Sequence, residues 1–358
     1  MNQPKLVLLG GGTGSFTLLQ ALKLWTPNIT AIVNMSDSGG STGILRDELG
    51  VLPPGDIRQC LVALSNHPET RDLFSYRFNK GKLSSHTVGN LMLSALELQT
   101  GSIIQAIRIA SEFLKITGKV VPVTIEKNTL VLEDGKQTIR GEQKISEHLI
   151  VGHEAKVRLE PNAKVNPTAS RAIKDAEMII IAPGDIYTSL LPVLKVSGMP
   201  EALSSSKAKI VMVANLINKP LHSLDWHVMD YVREIEAYIG IGAIDYVLYN
   251  TQPPSKELLD KYAGEGEFPL KNDPARFSET KAHFIGAPLV ASQPYRQDQA
   301  DKLTKRSLIR HDPLAVKQQL EKILFSFNQT TWRIASRAKA VSCQSETSKL
   351  SIPIAFTG

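Results

Sequence analysis

The sequence is poor in cysteine, with only Cys60 and Cys343 in 358 residues. Two isolated cysteines provide neither a disulfide framework nor the paired spacing of a zinc site. This low cysteine content is what we expect of a protein in a reducing compartment. Cys60 lies within an apolar helical pattern and is predicted to be a core residue. The sequence also lacks a cationic, apolar signal segment at its start and any run of about 20 apolar residues. These absences predict a cytoplasmic protein without a membrane span.

The excess of basic over acidic residues is also small. The chain has 41 Lys and Arg against 35 Asp and Glu, a formal net charge of +6, and residues 329–358 supply half of it. No dense stripe of Lys and Arg is interleaved with aromatic side chains, so nucleic acid is not a predicted partner. Because residues 329–358 are polar and aperiodic, we predict a mostly disordered C-terminal extension there.

Short apolar runs do alternate with helical patterns along the chain, as in "LVLL", "TAIVNM", "MIIIA", "IVMVAN" and "YVLYN". This alternation predicts an α/β fold with a doubly wound, mostly parallel sheet in a single domain over 1–328. The stretch of about 119–160 is rich in Thr, Val and Ile around an Asp134-Gly135 turn signal, which predicts an antiparallel β insertion. A last helix is predicted to begin with Asp312 as N-cap and Pro313 in the first turn.

The segment "KLVLLGGGTGSFTLLQAL", residues 5–22, joins a buried strand to a helix through three glycines. Free N–H groups and the helix dipole make such a turn a phosphate site. It is not a P-loop, because the Gly-Lys-Ser/Thr ending is missing. It also departs from the dinucleotide fingerprint, because Ser15 replaces the third glycine and the acid after the second strand is delayed to Asp37. Two interpretations of this segment therefore remain: another kind of anion-binding turn, or a tight turn that binds no ligand.

Four further loops have the same character: "NMSDSGGSTGILRDELG", "VLPPGDIRQCLVAL", "SSHTVGNLMLSAL" and "IIIAPGDIYTSLLPVL". In a parallel sheet, strand C-termini and helix N-termini meet at one edge, so ligands bind there. The glycines let a ligand approach the backbone, and the hydroxyls and amides add hydrogen-bonding groups. The candidate ligand-binding residues in these loops are Asp37, Ser38, Gly39, Gly40, Asp56, His86, Asn90, Gly184, Asp185 and Thr188.

Each polar candidate also has a structural alternative. Asp56 and Asp185 are suited to cap helices. His86 could be a half-buried, hydrogen-bonded histidine, and Asn90 could cap or bridge a turn. Asp37 has no obvious helix to cap in its serine and glycine run, which favours a functional role. No Ser-His-Asp set and no His/Cys metal cluster stands out, so no metal site is predicted.

Taken together, "GGGTG", "SDSGGSTGILRDELG", "PPGDIRQCL", "HTVGNLMLSAL", "APGDIYTSLLPVL" and "RHDP" resemble the bacterial gluconeogenesis factor family over residues 4–327. That family is similar to 2-phospho-L-lactate transferase of the deazaflavin cofactor pathway. The resemblance implies a Rossmann-like nucleotide-binding fold and a cytoplasmic regulator. Such a regulator binds UDP-sugars and supports cell shape and wall synthesis during gluconeogenic growth. It implies a binder rather than an enzyme, with no required cofactor, with cell-wall synthesis or signalling proteins as partners, and with assembly as a homo-oligomer.

Roles can be assigned under this resemblance. The first turn would cradle a diphosphate through Gly11, Gly12, Thr13 and Gly14. Asp37 and Asn215 would bond ribose, base or sugar hydroxyls near the switch point, while Thr188 and the Gly184 amide would close the opposite wall. The resemblance alone implies a phosphate contact for Arg310.

The alternative is an enzyme of the 2-phospho-L-lactate transferase type, which joins a phospholactyl group to a deazaflavin and releases a guanosine nucleotide. Asp37 and Asp56 would then be the catalytic candidates and would hold Mg²⁺ at the phosphates. The chain departs from that pattern at Ser36-Asp37-Ser38, where the transferase has adjacent carboxylates. Pro313 replaces a threonine common in gluconeogenesis factors, so a phosphorylation switch there is not transferred. A third alternative is an interaction scaffold with a vestigial pocket.

Overall fold

The structure is a computed structural model that describes residues 3–150, 155–295 and 307–326. The strands among these residues are β1 (Leu6–Gly10), β2 (Ile29–Val33), β3 (Lys119–Pro122), β4 (Thr129–Asp134), β5 (Gln137–Arg140), β6 (Lys156–Glu160), β7 (Met178–Ile181), β8 (Lys209–Val213), β9 (Tyr246–Asn250) and β10 (His283–Ala287).

The α-helices that precede the middle of the chain are α1 (Gly12–Trp25), α2 (Gly40–Leu49), α3 (Gly55–Leu64), α4 (Pro68–Ser75), α5 (Val88–Thr100), α6 (Ile103–Leu114) and α7 (Glu142–Ser146). Those that follow are α8 (Pro167–Asp175), α9 (Leu191–Leu194), α10 (Met199–Ser204), α11 (Val228–Ile239) and α12 (Lys256–Ala263). A π-helical turn covers Ile186–Leu190, a 3₁₀ helix covers Pro274–Glu279, and residues 313–326 are helical. None of the helices in the described part of the chain has the length and apolar character to cross a membrane.

Seven strands form one sheet in the order β10-β9-β8-β7-β1-β2-β3, and every neighbouring pair is parallel. All five residues of β1 are buried, as the uninterrupted apolar run predicts for a strand in the middle of a parallel sheet. Leu6 pairs with Ile29 of β2 on one side and with Met178 of β7 on the other. The predicted Rossmann-like α/β fold is therefore confirmed.

The connections of the sheet determine where a site can form. From β1 the chain adds β2 and β3 in one direction, and from β7 it adds β8, β9 and β10 in the other. Right-handed crossovers that run in opposite directions place their helices on opposite faces and open a crevice where the order reverses. That point lies at the carboxyl ends of β1 and β7.

The predicted antiparallel insertion is confirmed as a second sheet of three strands in the order β5-β4-β6. Asp134 pairs with Gln137, so the Asp134-Gly135 signal marks a tight hairpin, with Gly135 at φ +59°. The insertion is shorter than the predicted 119–160, however. Lys119–Pro122 is parallel to β2 and forms the edge of the main sheet, because its apolar residues Val120 and Val121 are buried there.

The described residues divide into two compact units, one ending at Lys317 and one beginning at Gln318. The predicted N-cap of the last helix is confirmed within the first unit, since one carboxylate oxygen of Asp312 accepts from the N–H groups of Leu314 and Ala315. The predicted extension 329–358 lies outside the described residues, and the single-domain range 1–328 stays a prediction.

Candidate functional site

A cavity of about 730 Å³ lies at the carboxyl ends of the central strands. Loops that follow β1, β2 and β7 line it together with the starts of the helices after them. The predicted site residues that line the cavity are Gly11, Gly12, Thr13, Gly14, Asp37, Gly39, Gly40, Asp56, Asn90, Gly184, Asp185, Thr188, Asn215 and Arg310. Residues from seven separate sequence segments thus meet at one place, and five of these segments are the loops that the parallel sheet predicts to lie at one edge.

The opening turn brings the amino end of α1 to the cavity. Gly11 is the N-cap in extended conformation, so the N-cap residue itself has no side chain that could cap the helix. Gly12 has φ +62°, a left-handed value that favours glycine. A Cβ on Gly14 would lie 1.8 Å from the carbonyl oxygen of Pro183, so only glycine lets α1 approach the loop after β7. The result is a closely packed turn whose residues line the cavity.

The loop after β2 contains a helix that the sequence analysis did not predict. Asp37 accepts a hydrogen bond from the N–H of Gly39 (2.9 Å), and α2 begins at Gly40. Asp37 thus precedes a helix but is not its N-cap, which is Gly39. The start of α2, "GSTG", consists of weak helix formers, and tertiary packing overrides that weak local preference. A Cβ on Gly43 would lie 2.1 Å from the Ser38 carbonyl oxygen, which shows how closely α2 folds back on this loop.

Asp56 does not cap α3, because the N-cap is Pro54 and Asp56 lies in the first turn. Its carboxylate reaches the opening turn instead. A Cβ on Gly11 would lie 2.1 Å from one Asp56 oxygen, and a Cβ on Gly12 would lie 3.6 Å from the other. The carboxylate therefore lies directly beside the predicted phosphate turn.

A buried polar network supports the wall made by α2, α3 and α5. The Arg58 guanidinium donates to the Asn90 side-chain oxygen (2.9 Å), and the Asn90 amide donates to the Ser41 hydroxyl (3.2 Å). The Ser41 hydroxyl also lies 2.9 Å from His86 Nδ1. Burial lowers the pKa of His86, which favours the neutral ring. His86 does not line the cavity itself, so its place is behind Ser41.

The Pro-Gly-Asp loop after β7 uses most of its polar groups internally. Asp185 is the N-cap of the π-helical turn and accepts from the N–H groups of Tyr187 and Thr188 and from the Thr188 hydroxyl. The predicted capping alternative for Asp185 is thus present. The Asn215 side chain accepts from Gly184 N (2.9 Å) and donates to Gly184 O (2.8 Å). Gly184, whose amide was predicted to close the opposite wall, lines the cavity, and its N–H donates to Asn215.

Helix α7 of the β insertion contributes a wall that the sequence analysis missed. Ser38 lies beneath it: its hydroxyl accepts from Gln143 N (3.1 Å), and its N–H points to a Glu142 oxygen at 3.5 Å. Glu142 lines the cavity. Burial, together with the nearby carboxylates of Asp37 and Asp56, raises the pKa of Glu142 to about 8. A helix of five residues is too short to show periodicity, so no sequence signal marked it.

The far end of the cavity carries charged groups of both signs. Arg310 stacks on the Tyr295 ring, with 3.2 Å from its guanidinium carbon to the ring centroid. Its Nε donates to the Ser307 carbonyl (3.3 Å). Lys219 and Glu267 form an ion pair at 3.5 Å on the same rim. Arg310 was predicted from the resemblance only, whereas the Lys219–Glu267 pair was not predicted.

The carboxylates of the site do not form a closed metal centre. Within residues 3–150, 155–295 and 307–326, no group of three or more His, Cys, Asp or Glu side chains is placed to hold a metal ion. Asp37 and Asp56 could still serve as two ligands of a Mg²⁺ ion that binds with a substrate's phosphates, which is the usual mode for that ion.

Comparison with known proteins adds to this geometry. The family model described as 2-phospho-L-lactate transferase CofD matches residues 6–290. The chain is 37% identical over 331 residues to the gluconeogenesis factor of Bacillus subtilis, covering 90% of this chain and 98% of that one. It is 42% identical over 262 residues to the gluconeogenesis factor of Listeria innocua, covering 72% of this chain and 80% of that one.

A solved structure has a similar fold over most of the chain. A crystal structure of a Bacillus halodurans protein superposes with a TM-score of 0.81 at 32% identity, covering 90% of this chain and 100% of that one. The family match over residues 6–290 and the identities to these relatives show that the chain belongs to the 2-phospho-L-lactate transferase CofD family, among the gluconeogenesis factors.

Proposed function

We propose that this protein is a UDP-sugar-binding regulator of the gluconeogenesis factor type, which supports cell morphogenesis and wall synthesis during gluconeogenic growth. The names of its relatives support the regulatory part. The UDP-sugar and the morphogenetic role come from the resemblance of its motifs.

The observation behind the proposal is the amino end of α1, which lies at the cavity with Gly11 as its N-cap and with Gly11, Gly12, Thr13 and Gly14 in the cavity lining. Gly12 leaves the backbone of this turn without a side chain on the cavity side, where a Cβ would have only an Asp56 oxygen within 4 Å, at 3.6 Å. Backbone N–H groups at a helix N-terminus bind phosphate through hydrogen bonds and the helix dipole. A volume of about 730 Å³ also fits a ligand larger than a phosphate alone.

Thermal unfolding with UDP-glucose or UDP-N-acetylglucosamine tests the proposal. At 100 times its dissociation constant a ligand stabilises the fold by about 2.7 kcal/mol, and we expect that shift with and without EDTA. We also expect no release of UMP, UDP or phosphate over hours in Mg²⁺. A panel of UDP-sugars and other nucleotides without any shift would contradict the proposal and favour a scaffold with a vestigial pocket.

One observation favours a second function, that of a 2-phospho-L-lactate transferase-like enzyme. The Asp56 carboxylate lies against Gly11 and Gly12, where a bare diphosphate would meet a negative charge. A Mg²⁺ ion held by Asp56 and Asp37 would relieve that repulsion and supply Lewis-acid chemistry. Steady, Mg²⁺-dependent product release that Asp37→Asn abolishes while binding persists would establish this function instead.

The remaining implications of the resemblance stay predictions. They are a cytoplasmic location, assembly as a homo-oligomer, and contact with cell-wall synthesis or signalling proteins. Sedimentation of the purified chain and co-purification from cells grown on gluconeogenic carbon would test the last two.

A further inference from the structure

His222 is buried in the loop between β8 and α11, and both of its ring nitrogens have partners. Nδ1 lies 2.7 Å from a carboxylate oxygen of Asp185, and Nε2 lies 2.9 Å from the carbonyl oxygen of Ile145. Carboxylate and carbonyl oxygens can only accept, so both ring nitrogens must donate. Only the imidazolium form carries a proton on each nitrogen, and the geometry therefore indicates a charged histidine inside the protein.

The surroundings agree with that charge. Burial by itself lowers the pKa of His222, but the Asp185 charge and the hydrogen bonds to Asp185 and Ile145 outweigh it and raise the pKa above its usual range. Lys219 opposes this rise, and the Tyr187 ring meets the imidazole edge-on at 5.8 Å. For Asp185, burial acts to raise the pKa, but His222 and Thr188 outweigh it and hold the pKa below the usual range.

The two partners of His222 belong to different walls of the cavity. Asp185 organises the Pro-Gly-Asp loop through its other carboxylate oxygen, which accepts from Tyr187 N and Thr188 N. Ile145 belongs to α7, whose first turn carries Glu142 and is bound on its other side to Ser38. The backbone adds a further link after α7, since Ile150 N donates to Leu221 O (2.8 Å).

We propose that His222 is a positioning residue that, as an imidazolium, holds α7 against the Asp185 loop and so places the Glu142 wall opposite the phosphate turn. Its effect on ligand affinity rests on the proposed function, whereas its effect on α7 does not. A neutral imidazole can donate from one nitrogen only. Deprotonation therefore leaves either Asp185 or the Ile145 carbonyl without its donor, and in both cases it breaks the link that His222 makes between α7 and the Asp185 loop.

The charge of His222 determines the direction in which UDP-sugar affinity changes with pH. The pKa of His222 is raised by folding, so the clamp is complete below about pH 6.5, the ordinary histidine value, and is lost as pH rises through the raised value. UDP-sugar affinity should weaken on the alkaline side. The phosphodiester charges of the ligand do not change in that range, so the protein alone supplies the change.

Two substitutions test the hydrogen bonds of His222 to Asp185 and to Ile145 one at a time. His222→Asn can place an amide donor near the position of Nδ1 and keep the Asp185 bond, whereas His222→Gln can place it near Nε2 and keep the Ile145 bond. In the ligand-free protein, hydrogen exchange of the α7 amides should accelerate roughly tenfold or more in His222→Asn. His222→Gln should exchange less rapidly than His222→Asn.

UDP-glucose binding provides the second readout. Both variants should bind about 10–100-fold more weakly near neutral pH, the loss expected for a hydrogen bond to a charged group. Their affinity should no longer fall with rising pH, whereas that of the parent should. His148→Asn is the matched control, because His148 pairs with Asp134 at 2.9 Å outside the cavity. That variant should retain the pH profile of the parent.

A direct measurement keeps the inference testable if a variant fails to fold. The chain has eight histidines, so ¹⁵N-histidine labelling with NMR can follow each ring. His222 should show two protonated nitrogens at neutral pH and titrate above the ordinary value. Titration at or below that value, or unchanged α7 exchange in both variants, overturns the inference. If the parent binds no nucleotide while α7 exchange responds as expected, the proposed function fails and the positioning role stands.

Discussion

Gly12 is a residue whose backbone conformation and position beside the cavity can be separated by experiment. It has φ +62°, and a Cβ there would make only an ordinary contact of 3.6 Å with an Asp56 oxygen, whereas Gly101, at the end of α5, has φ +68° with no atom within 4 Å of a Cβ. Alanine at either position should therefore lower the free energy of unfolding by the same amount, about 1–2 kcal/mol for a left-handed conformation.

Only Gly12→Ala should weaken UDP-sugar binding, because its methyl group and the adjusted backbone would disturb the phosphate turn. Urea unfolding and a binding isotherm on both variants check this. Equal binding by Gly12→Ala and Gly101→Ala would remove the first turn from the site.

Arg310 combines charge with a fixed geometry. Its guanidinium stacks on Tyr295, which restrains the side chain at the cavity. We expect Arg310→Ala to weaken UDP-sugar binding by about 1.5–3 kcal/mol, as for a lost charged hydrogen bond. Arg310→Lys keeps the charge without the planar stacking and should recover only part of the affinity. Isothermal titration measures both, and an Arg310→Ala protein that binds like the parent would show that the phosphate lies elsewhere.

At the scale of the element, the last helix offers a clean test of capping. Asp312 accepts from the N–H groups of Leu314 and Ala315. Asp312→Ala should lower the free energy of unfolding by about 1 kcal/mol, whereas Asp312→Asn keeps the acceptor and should change it by only a few tenths. Thermal or urea unfolding distinguishes them. Equal losses in the two variants would mean that the charge, and not the cap, matters.

Elements with a strong local signal were predictable from the sequence. The run Leu6–Leu9 before three glycines gave β1 and the turn into α1, and the Asp134-Gly135 pair gave the hairpin. Helices α2 and α7 were not predictable, because one begins in glycine and serine and the other has a single turn. Their positions depend on tertiary contacts that sequence periodicity does not contain.

The same distinction between local signals and tertiary contacts explains which parts of the site were predictable. The order of strands and helices in the sequence predicted that the five loops lie at one edge of the sheet, and residues of these loops do meet at the cavity. The hydrogen-bond partners of the site residues, by contrast, could not be predicted. Asn215 is bonded to Gly184, and Glu142 arrives from the insertion. Both depend on distances between segments far apart in the chain, which no local pattern specifies.

At the scale of the whole molecule, a buried neutral histidine should make the fold sensitive to acid. His311 donates from Nε2 to the Ala214 carbonyl (3.1 Å), and burial lowers its pKa to about 4. The unfolded chain binds a proton below about pH 6.5 and the folded chain does not. Stability is therefore lost as pH falls from there towards 4, by about 1.5 kcal/mol between pH 6.5 and 5.

His311→Gln can keep a donor to Ala214 without titrating, so its loss of stability over the same range should be smaller by that amount. Urea unfolding at the two pH values measures the difference. Parallel losses in the parent and the variant would assign the acid sensitivity to other groups.

The adjacency of β1 and β7 has a consequence for biosynthesis. Lys5 and Glu177, which meet at the start of these strands, are 172 residues apart in the chain. At roughly 5–20 residues per second, a ribosome needs on the order of 10–30 s to deliver β7 after β1 has emerged. During that interval one edge of β1 has no partner strand and can pair with other chains. The nascent protein is therefore exposed to misassociation until its second half appears, and no nucleotide can shorten that wait, because the walls of the cavity come from both halves.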